Sequence, residues 1–496
     1  ILYNTYDVTS QLQQENAIGV TLGNGRFYTM RQNYKPYKIP TFGYPKLRLN
    51  LIVEYADGSK ETIATNTSWK LTTEGPVRSN NEYDGEEYDA RLEMEGWNTN
   101  GFDDGAWKTP DVMDAPTGKL TAQQNPNIRV QETLKPVAVF DRPDGKYILD
   151  MGQNMVGWLS VNLKGKKGKP VSMKFAELLQ KDGSLYLANL RTAQVTDIYT
   201  PAEDGDFSWQ PRFVYHGFRF VEVSGLDYKP ELSAFTGHVI YDKMTTTGRF
   251  ETSHPLVNQI HKNAYWGIRG NYRGMPTDCP QREKNGWTAD AHVAIDLGLL
   301  GFDAITLYEK WMNDFIDNQR EAGEISGIIP SSGWGYGEWP GPVWDAAMFI
   351  IPNALYNYYG ETRSIENLYP TMLRYLDYLK AKEKDGGYLT FGLGDWVYWK
   401  STTNNTYTST AYYYLDYILM ARFAGLLGKD AAPYRQRADE LKALVNRKFF
   451  NPETGVYAEG TQTAQAIALY LGIVPEGKEQ LVADKLCEVV RANNHF

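Results

Sequence analysis

The sequence predicts a multidomain chain in which antiparallel β domains precede an α/α toroid. Three observations carry this expectation. Before about residue 245, short alternating runs are broken by Gly, Asp, Asn and Pro, the mark of antiparallel sheet. After it, helical periodicity takes over in roughly nine runs joined by glycine- and aromatic-rich loops. The strand–helix alternation that a TIM barrel would need is absent.

In the first half, residues 47–55 alternate and then meet the turn Ala56-Asp57-Gly58-Ser59. The pattern recurs at 160–163 and 170–175, and 218–223 is close to perfect alternation. The polar stretch 120–132, which contains Pro126, reads as a linker between two β domains. Helical runs follow at 256–272, 289–302, 304–319, 343–359 and 365–382, then at 409–427, 433–449, 461–471 and 478–492. Helix pairs joined in this way suggest an inner helical ring around a pocket walled by loops.

With 496 residues the chain has room for roughly two to four domains. Its 42% hydrophobic and 22% charged residues are ordinary, but 14% aromatic content, with 35 Tyr and 13 Trp, supplies many flat faces for sugar C–H surfaces. A net charge of −9 and an isoelectric point near 5.4 argue against nucleic acid as a partner. No apolar run approaches ~20 residues, so no membrane-spanning helix is expected. No signal peptide or initiator Met precedes Ile1, which suggests a processed protein or a fragment. Cys279 and Cys487 match no metal or redox spacing, and the histidines are not clustered, so neither a metal nor a cofactor is expected. Compartment and oligomeric state stay open, with a periplasmic or secreted setting favoured over a cytoplasmic one.

The chemistry concentrates at Thr277-Asp-Cys-Pro-Gln-Arg-Glu-Lys-Asn-Gly-Trp-Thr-Ala-Asp290. Asp278, Glu283 and Asp290 lie close together in sequence around Arg282, directly before a helical run. Carboxylates brought together raise one another's pKa, and an arginine can hold some ionised while one carboxyl stays protonated. Cleavage of a glycosidic bond needs that division of roles. On this reading Glu283 donates a proton to the leaving oxygen, and Asp278 and Asp290 grip sugar hydroxyls. A surface ion cluster at a helix start explains the same residues without catalysis. Two further loops pair acids with tryptophan: 332–345, with Trp334, Trp339, Trp344 and Asp345, and 392–399, with Asp395 and Trp396. Together they point to a sugar pocket, although each alone could be a packed interhelical loop. His216 reads as structural, a lone histidine among strand residues without partners. The segment 101–107 reads as an aspartate turn rather than a Ca²⁺ or sugar site.

Asp278-Cys-Pro-Gln-Arg-Glu283 followed by Gly286-Trp-Thr-Ala-Asp290 resembles the signature of the α-L-rhamnosidases of glycoside hydrolase family seventy-eight. Leu22-Gly-Asn-Gly25, Tyr88-Asp-Ala-Arg91 and Gly101-Phe-Asp-Asp104 are similar to that family's N-terminal jelly-roll domain. Asp150-Met-Gly-Gln-Asn-Met-Val-Gly-Trp158, Phe175-Ala-Glu177 and Tyr215-His-Gly-Phe-Arg219 are similar to its concanavalin-like β domain. The resemblance implies a jelly-roll domain over 1–122, incomplete at its start, and a concanavalin-like β-sandwich over 123–244. It implies an (α/α)6 toroid over 245–496, incomplete at its end.

The implied activity is inverting hydrolysis of terminal α-L-rhamnosyl residues from a carbohydrate substrate, without cofactor. Glu283 would be the general acid, Asp278, Arg282 and Asp290 would contact the sugar, and Trp344, Asp345 and Trp396 would line the pocket. The family's general base, a Glu in a Trp-Glu pair, is expected beyond Phe496, with Asp290, Glu338, Asp345 and Asp395 as stand-ins. A rhamnoside-binding protein without catalysis, or an inverting toroid glycosidase for another sugar, are the rival readings.

Overall fold

The computed structural model, which describes residues 1–29, 43–331, 333–398, 400 and 402–494, places its long strands before residue 243 and its helices after residue 254. Two units result. One comprises Ile1–Lys243 with Cys279–Lys284, the other Met244–Asp278 with Asn285–Phe496.

The first unit opens with β1 (Leu2–Tyr3), β2 (Asn50–Glu54), β3 (Lys60–Ala64), β4 (Val77–Asn81), β5 (Gly85–Asp89) and β6 (Thr121–Ala122). Then come β7 (Ile128–Leu134), β8 (Ala138–Asp141), β9 (Tyr147–Gly165) and β10 (Val171–Ala176). β11 (Thr196–Thr200), β12 (Gly205–Trp209), β13 (His216–Ser224) and β14 (Phe235–Asp242) complete it. One sheet runs β4-β5-β11-β10-β13-β9-β14-β7, and β8 and β12 also pair with β9. β9 serves two sets of partners: its first part pairs with β8 and β13, its last part with β12 and β14. Leu149, Leu159, Phe175, Phe218, Val221, Val223 and Phe235 form the buried face. The alternation expected at 218–223 is interrupted, because a bulge between Phe218 and Phe220 resets the phase and lets Phe218, Val221 and Val223 all face inward.

The run 47–55 becomes β2, folded onto β3 across the expected turn, where the Tyr55 amide bonds to the Ser59 carbonyl at 2.9 Å. The segment 120–132 is not a linker. Thr121–Ala122 pairs with Leu2–Tyr3, and Ile128 opens β7, which pairs antiparallel with β14. β7 ends the sheet order, so its polar side chains stay largely in solvent while the ladder satisfies its backbone; polar composition therefore does not oppose the strand.

In the second unit each expected helical run is found: α1 (Pro255–Arg269), α2 (Thr288–Gly301), α3 (Ile305–Asn318), α4 (Gly341–Asp345) and α5 (Ala347–Tyr359) come first. α6 (Arg363–Ala381), α7 (Asn405–Leu426), α8 (Ala432–Phe449), α9 (Gln462–Tyr470) and α10 (Glu479–Asn493) follow. The single run expected at 343–359 is two helices. Ala346, with ψ of −16°, shares its carbonyl between the amides of Phe349 and Ile350, each at 2.9 Å, and marks the join of α4 and α5. α7, started by Asn404 accepting from the Thr406 amide, packs on α4, α5, α6, α8 and α9 and is buried along most of its length. No described helix is long and apolar enough to cross a membrane.

Burial of α7 includes Asp416, which is 0% exposed and whose carboxylate oxygens meet no hydrogen-bond donor among the described residues. Burial pushes its carboxyl well above the usual carboxylate range, with Asp345 adding to the effect. A carboxyl raised in the folded state favours folding when protonated, so that contribution is complete below about pH 4 and is lost as pH rises towards the folded value. Asp416→Asn should therefore flatten the loss of stability between mildly acidic and neutral pH. The loss removed should approach about 1.4 kcal/mol per pH unit, read by denaturant titration across pH. Identical pH dependence in the variant would contradict this account.

Candidate functional site

The segment 277–290 is built from both units by chain continuity: Asp278 and Asn285 belong to the helical unit, and Cys279–Lys284 to the β unit. In the helical unit, Asp278 and Asn285 clasp each other. The Asp278 amide donates to the Asn285 carbonyl at 2.9 Å, and Asp278 Oδ1 accepts from the Asn285 amide at 2.9 Å. Gly286-Trp287 then pairs with the backbone at Ile328–Ile329, where the Ile329 amide donates to the Gly286 carbonyl at 2.8 Å. A Cβ at Gly286 would lie 1.9 Å from the Ile329 carbonyl oxygen, so only glycine permits this approach. α2 begins at once, with Asp290 exposed in its first turn.

In the β unit, the backbone around Glu283 is held from below. The Glu283 carbonyl accepts from the Tyr83 hydroxyl at 2.9 Å and from Arg26 Nη2 at 3.2 Å, and the same Arg26 nitrogen reaches the Lys284 carbonyl at 2.7 Å. Lys284, 2% exposed, donates its ammonium to the carbonyls of Tyr215, at 2.8 Å, and Glu82, and lies 3.8 Å from the Tyr215 ring centroid. The Glu283 side chain is 9% exposed, with Oε1 3.2 Å from Arg191 Nη1 and 3.7 Å from Arg282 Nε. A buried carboxyl with two guanidinium neighbours on a fixed backbone is held in a set orientation.

The strand motifs of the β unit interlock with one another. Arg219 grips Asp150 with bonds of 2.8 and 2.9 Å and holds that carboxyl below the usual range, and Asn154 donates to Glu177 at 3.1 Å. His216 is structural, but not for want of partners: its Nε2 lies 3.0 Å from Asp197 Oδ1, both side chains buried, and its ring stacks on Phe175 at 4.4 Å. In the segment 101–107 the Gly105 amide bonds to Asp103 Oδ1 at 3.0 Å, an aspartate turn.

The two tryptophan loops adjoin within the helical unit, because the Leu393 amide donates to the Pro340 carbonyl at 3.2 Å. Trp334 and Trp339 lie parallel, 6.3 Å apart, and both meet Trp287 edge-on at 5.8 and 5.6 Å. Trp344 stands apart from that cluster and is 6% exposed, whereas Trp396 is 64% exposed. Asp345 is buried, its Oδ2 accepting from the Tyr375 hydroxyl at 2.9 Å, and burial pushes it well above the usual carboxylate range. Asp395 Oδ2 accepts from Thr403 at 2.8 Å, and Glu338 pairs with Lys382 at 2.9 Å. His292 on α2 donates to the Val343 carbonyl at 2.9 Å; burial lowers its imidazole to about 4, so it stays neutral beside α4. Ser332 and Trp399 lie outside the described residues.

Arg191, Tyr83 and Arg26 were not singled out in the sequence. Each lies more than 90 residues from Glu283 in a loop or turn without local periodicity, and only folding brings them to it.

Three family models match the chain. These are the alpha-L-rhamnosidase N-terminal domain over residues 1–132, the bacterial alpha-L-rhamnosidase concanavalin-like domain over 140–241, and the bacterial alpha-L-rhamnosidase 6 hairpin glycosidase domain over 245–496. An alpha-L-rhamnosidase of Streptomyces avermitilis is 34% identical over 500 residues, covering 100% of this chain and 48% of its own length. The crystal structure of a Streptomyces avermitilis α-L-rhamnosidase complexed with L-rhamnose matches with a TM-score of 0.85 at 35% identity, over 90% of this chain and 43% of that one. The α-L-rhamnosidase structure from Dictyoglomus thermophilum matches with a TM-score of 0.86 at 36% identity, over 91% and 52%. The chain thus spans about half the length of these relatives. The strand-rich half, the helical hairpins and the acid-bearing loop all lie within the matched regions, and the chain belongs to the α-L-rhamnosidase family, glycoside hydrolase family seventy-eight.

Proposed function

We propose that the chain hydrolyses terminal α-L-rhamnosyl residues from rhamnosides with inversion at the anomeric carbon, Glu283 delivering the proton to the leaving oxygen. The observation that carries this reading is the buried Glu283 carboxyl, oriented by guanidinium groups on a backbone fixed through Tyr83 and Arg26. Family membership supports the sugar: the Streptomyces relative's structure holds L-rhamnose. Asp278, Arg282 and Asp290 are proposed to bind rhamnose hydroxyls, with Trp344, Asp345 and Trp396 in the surrounding wall.

Inversion needs a second carboxylate about 6.5–9.5 Å from the acid to activate water. Of the stand-ins within the chain, Asp345 is pushed by burial well above the usual carboxylate range, which opposes the ionised form a base needs, and Glu338 and Asp395 are engaged with Lys382 and Thr403. Turnover of an aryl α-L-rhamnoside, with the configuration of the released sugar followed by NMR, tests the reading. Unaided release of β-rhamnose would place the base within these 496 residues. Turnover that requires added azide would place it outside them. Binding of rhamnose without turnover under either condition would favour the binding-protein reading.

Glu283→Gln keeps shape but removes the acid, and should lower kcat on natural rhamnosides by roughly 100- to 10,000-fold while rhamnose still binds. Near-normal hydrolysis by this variant would sink the assignment. Asp290→Ala should weaken rhamnose binding by about 10- to 100-fold, as loss of a charged hydrogen bond predicts. Calorimetric titration with rhamnose reads this directly.

A further inference from the structure

We propose that Arg191, contributed by the β unit, is a positioning residue that sets the orientation of the Glu283 carboxyl. The inference rests on Glu283 being the proton donor. Its basis is a double hold on that residue that originates from one turn, 81–85.

Within that turn, Asn81 Oδ1 accepts from the amides of Tyr83 and Asp84, each at 2.9 Å, which fixes the backbone that carries Tyr83. Asn24 docks on the residue before it: its amide donates to Asn80 Oδ1 at 2.7 Å and its side chain to the Asn80 carbonyl at 3.0 Å. Arg26, two residues on, is thereby brought beside Tyr83, to which it donates at 2.8 Å. Tyr83 and Arg26 then hold the Glu283 carbonyl, so the main chain of the acid is set and its side-chain torsions remain.

The same turn anchors the segment that fixes those torsions. Tyr83 and Asp84 carbonyls accept from the amides of Val195, at 3.2 Å, and Thr196, at 2.8 Å, and Asp84 Oδ1 accepts from the Gln194 amide at 3.1 Å. A Cβ on Gly85 would lie 2.0 Å from the Thr196 carbonyl oxygen, so the two segments meet backbone to backbone. The clamped segment begins and ends in a backbone conformation that L residues rarely adopt: φ is 57° at Arg191 and 47° at the buried, β-branched Val195. The chain reverses at Arg191, after the turn Ala188–Leu190, and its guanidinium reaches Glu283 Oε1 at 3.2 Å. Arg282 approaches the same oxygen at 3.7 Å, a longer contact from the adjacent residue. One turn thus locates both the main chain of the acid and the cation that orients its carboxyl.

The test uses the 496-residue chain carrying a carbon-13 label at the glutamate side-chain carboxyls. The Glu283 resonance is identified by its loss in Glu283→Gln. Arg191→Gln is expected to move that resonance and Arg191→Lys to return it most of the way. On an alkyl rhamnoside, whose leaving group must be protonated, Arg191→Gln should lower kcat on the order of 100-fold with little change in KM. With a dinitrophenyl rhamnoside, whose leaving group departs without a proton, the loss should shrink to a few-fold. A resonance that does not move in Arg191→Gln, or equal losses with both leaving groups, would overturn the proposal. A wild-type chain without turnover even with added azide would count against the proposed function and leave the resonance to decide the role of Arg191.

Discussion

The arrangement of this site depends on hydrogen bonds to two backbone carbonyls, those of Glu283 and Lys284, from Tyr83 and Arg26. A carbonyl accepting from a guanidinium in a buried setting is a strong, directional bond, and two in succession fix the path of the chain. The buried Lys284 ammonium is costly unless satisfied, and it is satisfied by backbone carbonyls of Tyr215 and Glu82 and by the face of Tyr215. Charge burial and backbone direction are thus solved by the same contacts. The acid loop takes its shape from the β unit and closes at its base through the Asp278–Asn285 clasp.

Four carboxyl groups illustrate two electrostatic settings. Glu283 sits among guanidinium groups, as does Asp150 beside Arg219. Inside the helical unit, Asp345 accepts from a tyrosine hydroxyl and Asp416 lies in the field of Asp345, and burial pushes both carboxyls well above the usual range. Residues of the same type therefore carry different chemistry according to what the fold packs around them. A carboxyl buried in a core without a cation resists ionisation, whereas one set beside guanidinium groups is held in a fixed orientation by them.

Membership of the rhamnosidase family is carried by motifs spread along the whole chain, and the structure shows why they keep company. Asp150, Glu177, His216 and Arg219 are separated by up to 69 residues, yet they form ion pairs, hydrogen bonds and a ring stack within one sheet region. The glycines of the acid loop and of the 81–85 turn occur where backbone meets backbone, with no room for a Cβ. These positions specify geometry on which the side chains of the site depend.

The helices were legible because their apolar residues repeat at a spacing each run carries within itself; the exception, the break at Ala346, arises from a single torsion that periodicity does not encode. The alternation of β9, β10 and β13 was equally local, but the bulge at Phe218 and the strand role of 128–134 were set by partners far along the chain. Glu283, Asp278, Arg282 and Asp290 could be singled out from sequence because they share one short segment with a distinctive order of acid, proline, arginine and tryptophan. The partners of Glu283 could not, since Arg26, Tyr83 and Arg191 lie in turns and loops whose composition carries no period. Sequence by itself determined the order of β and helical regions, the family and the candidate segment 277–290, all properties of neighbouring residues. Tertiary structure alone decided which cations face the acid and which carboxyls are buried, because those depend on contacts between residues that the chain keeps far apart.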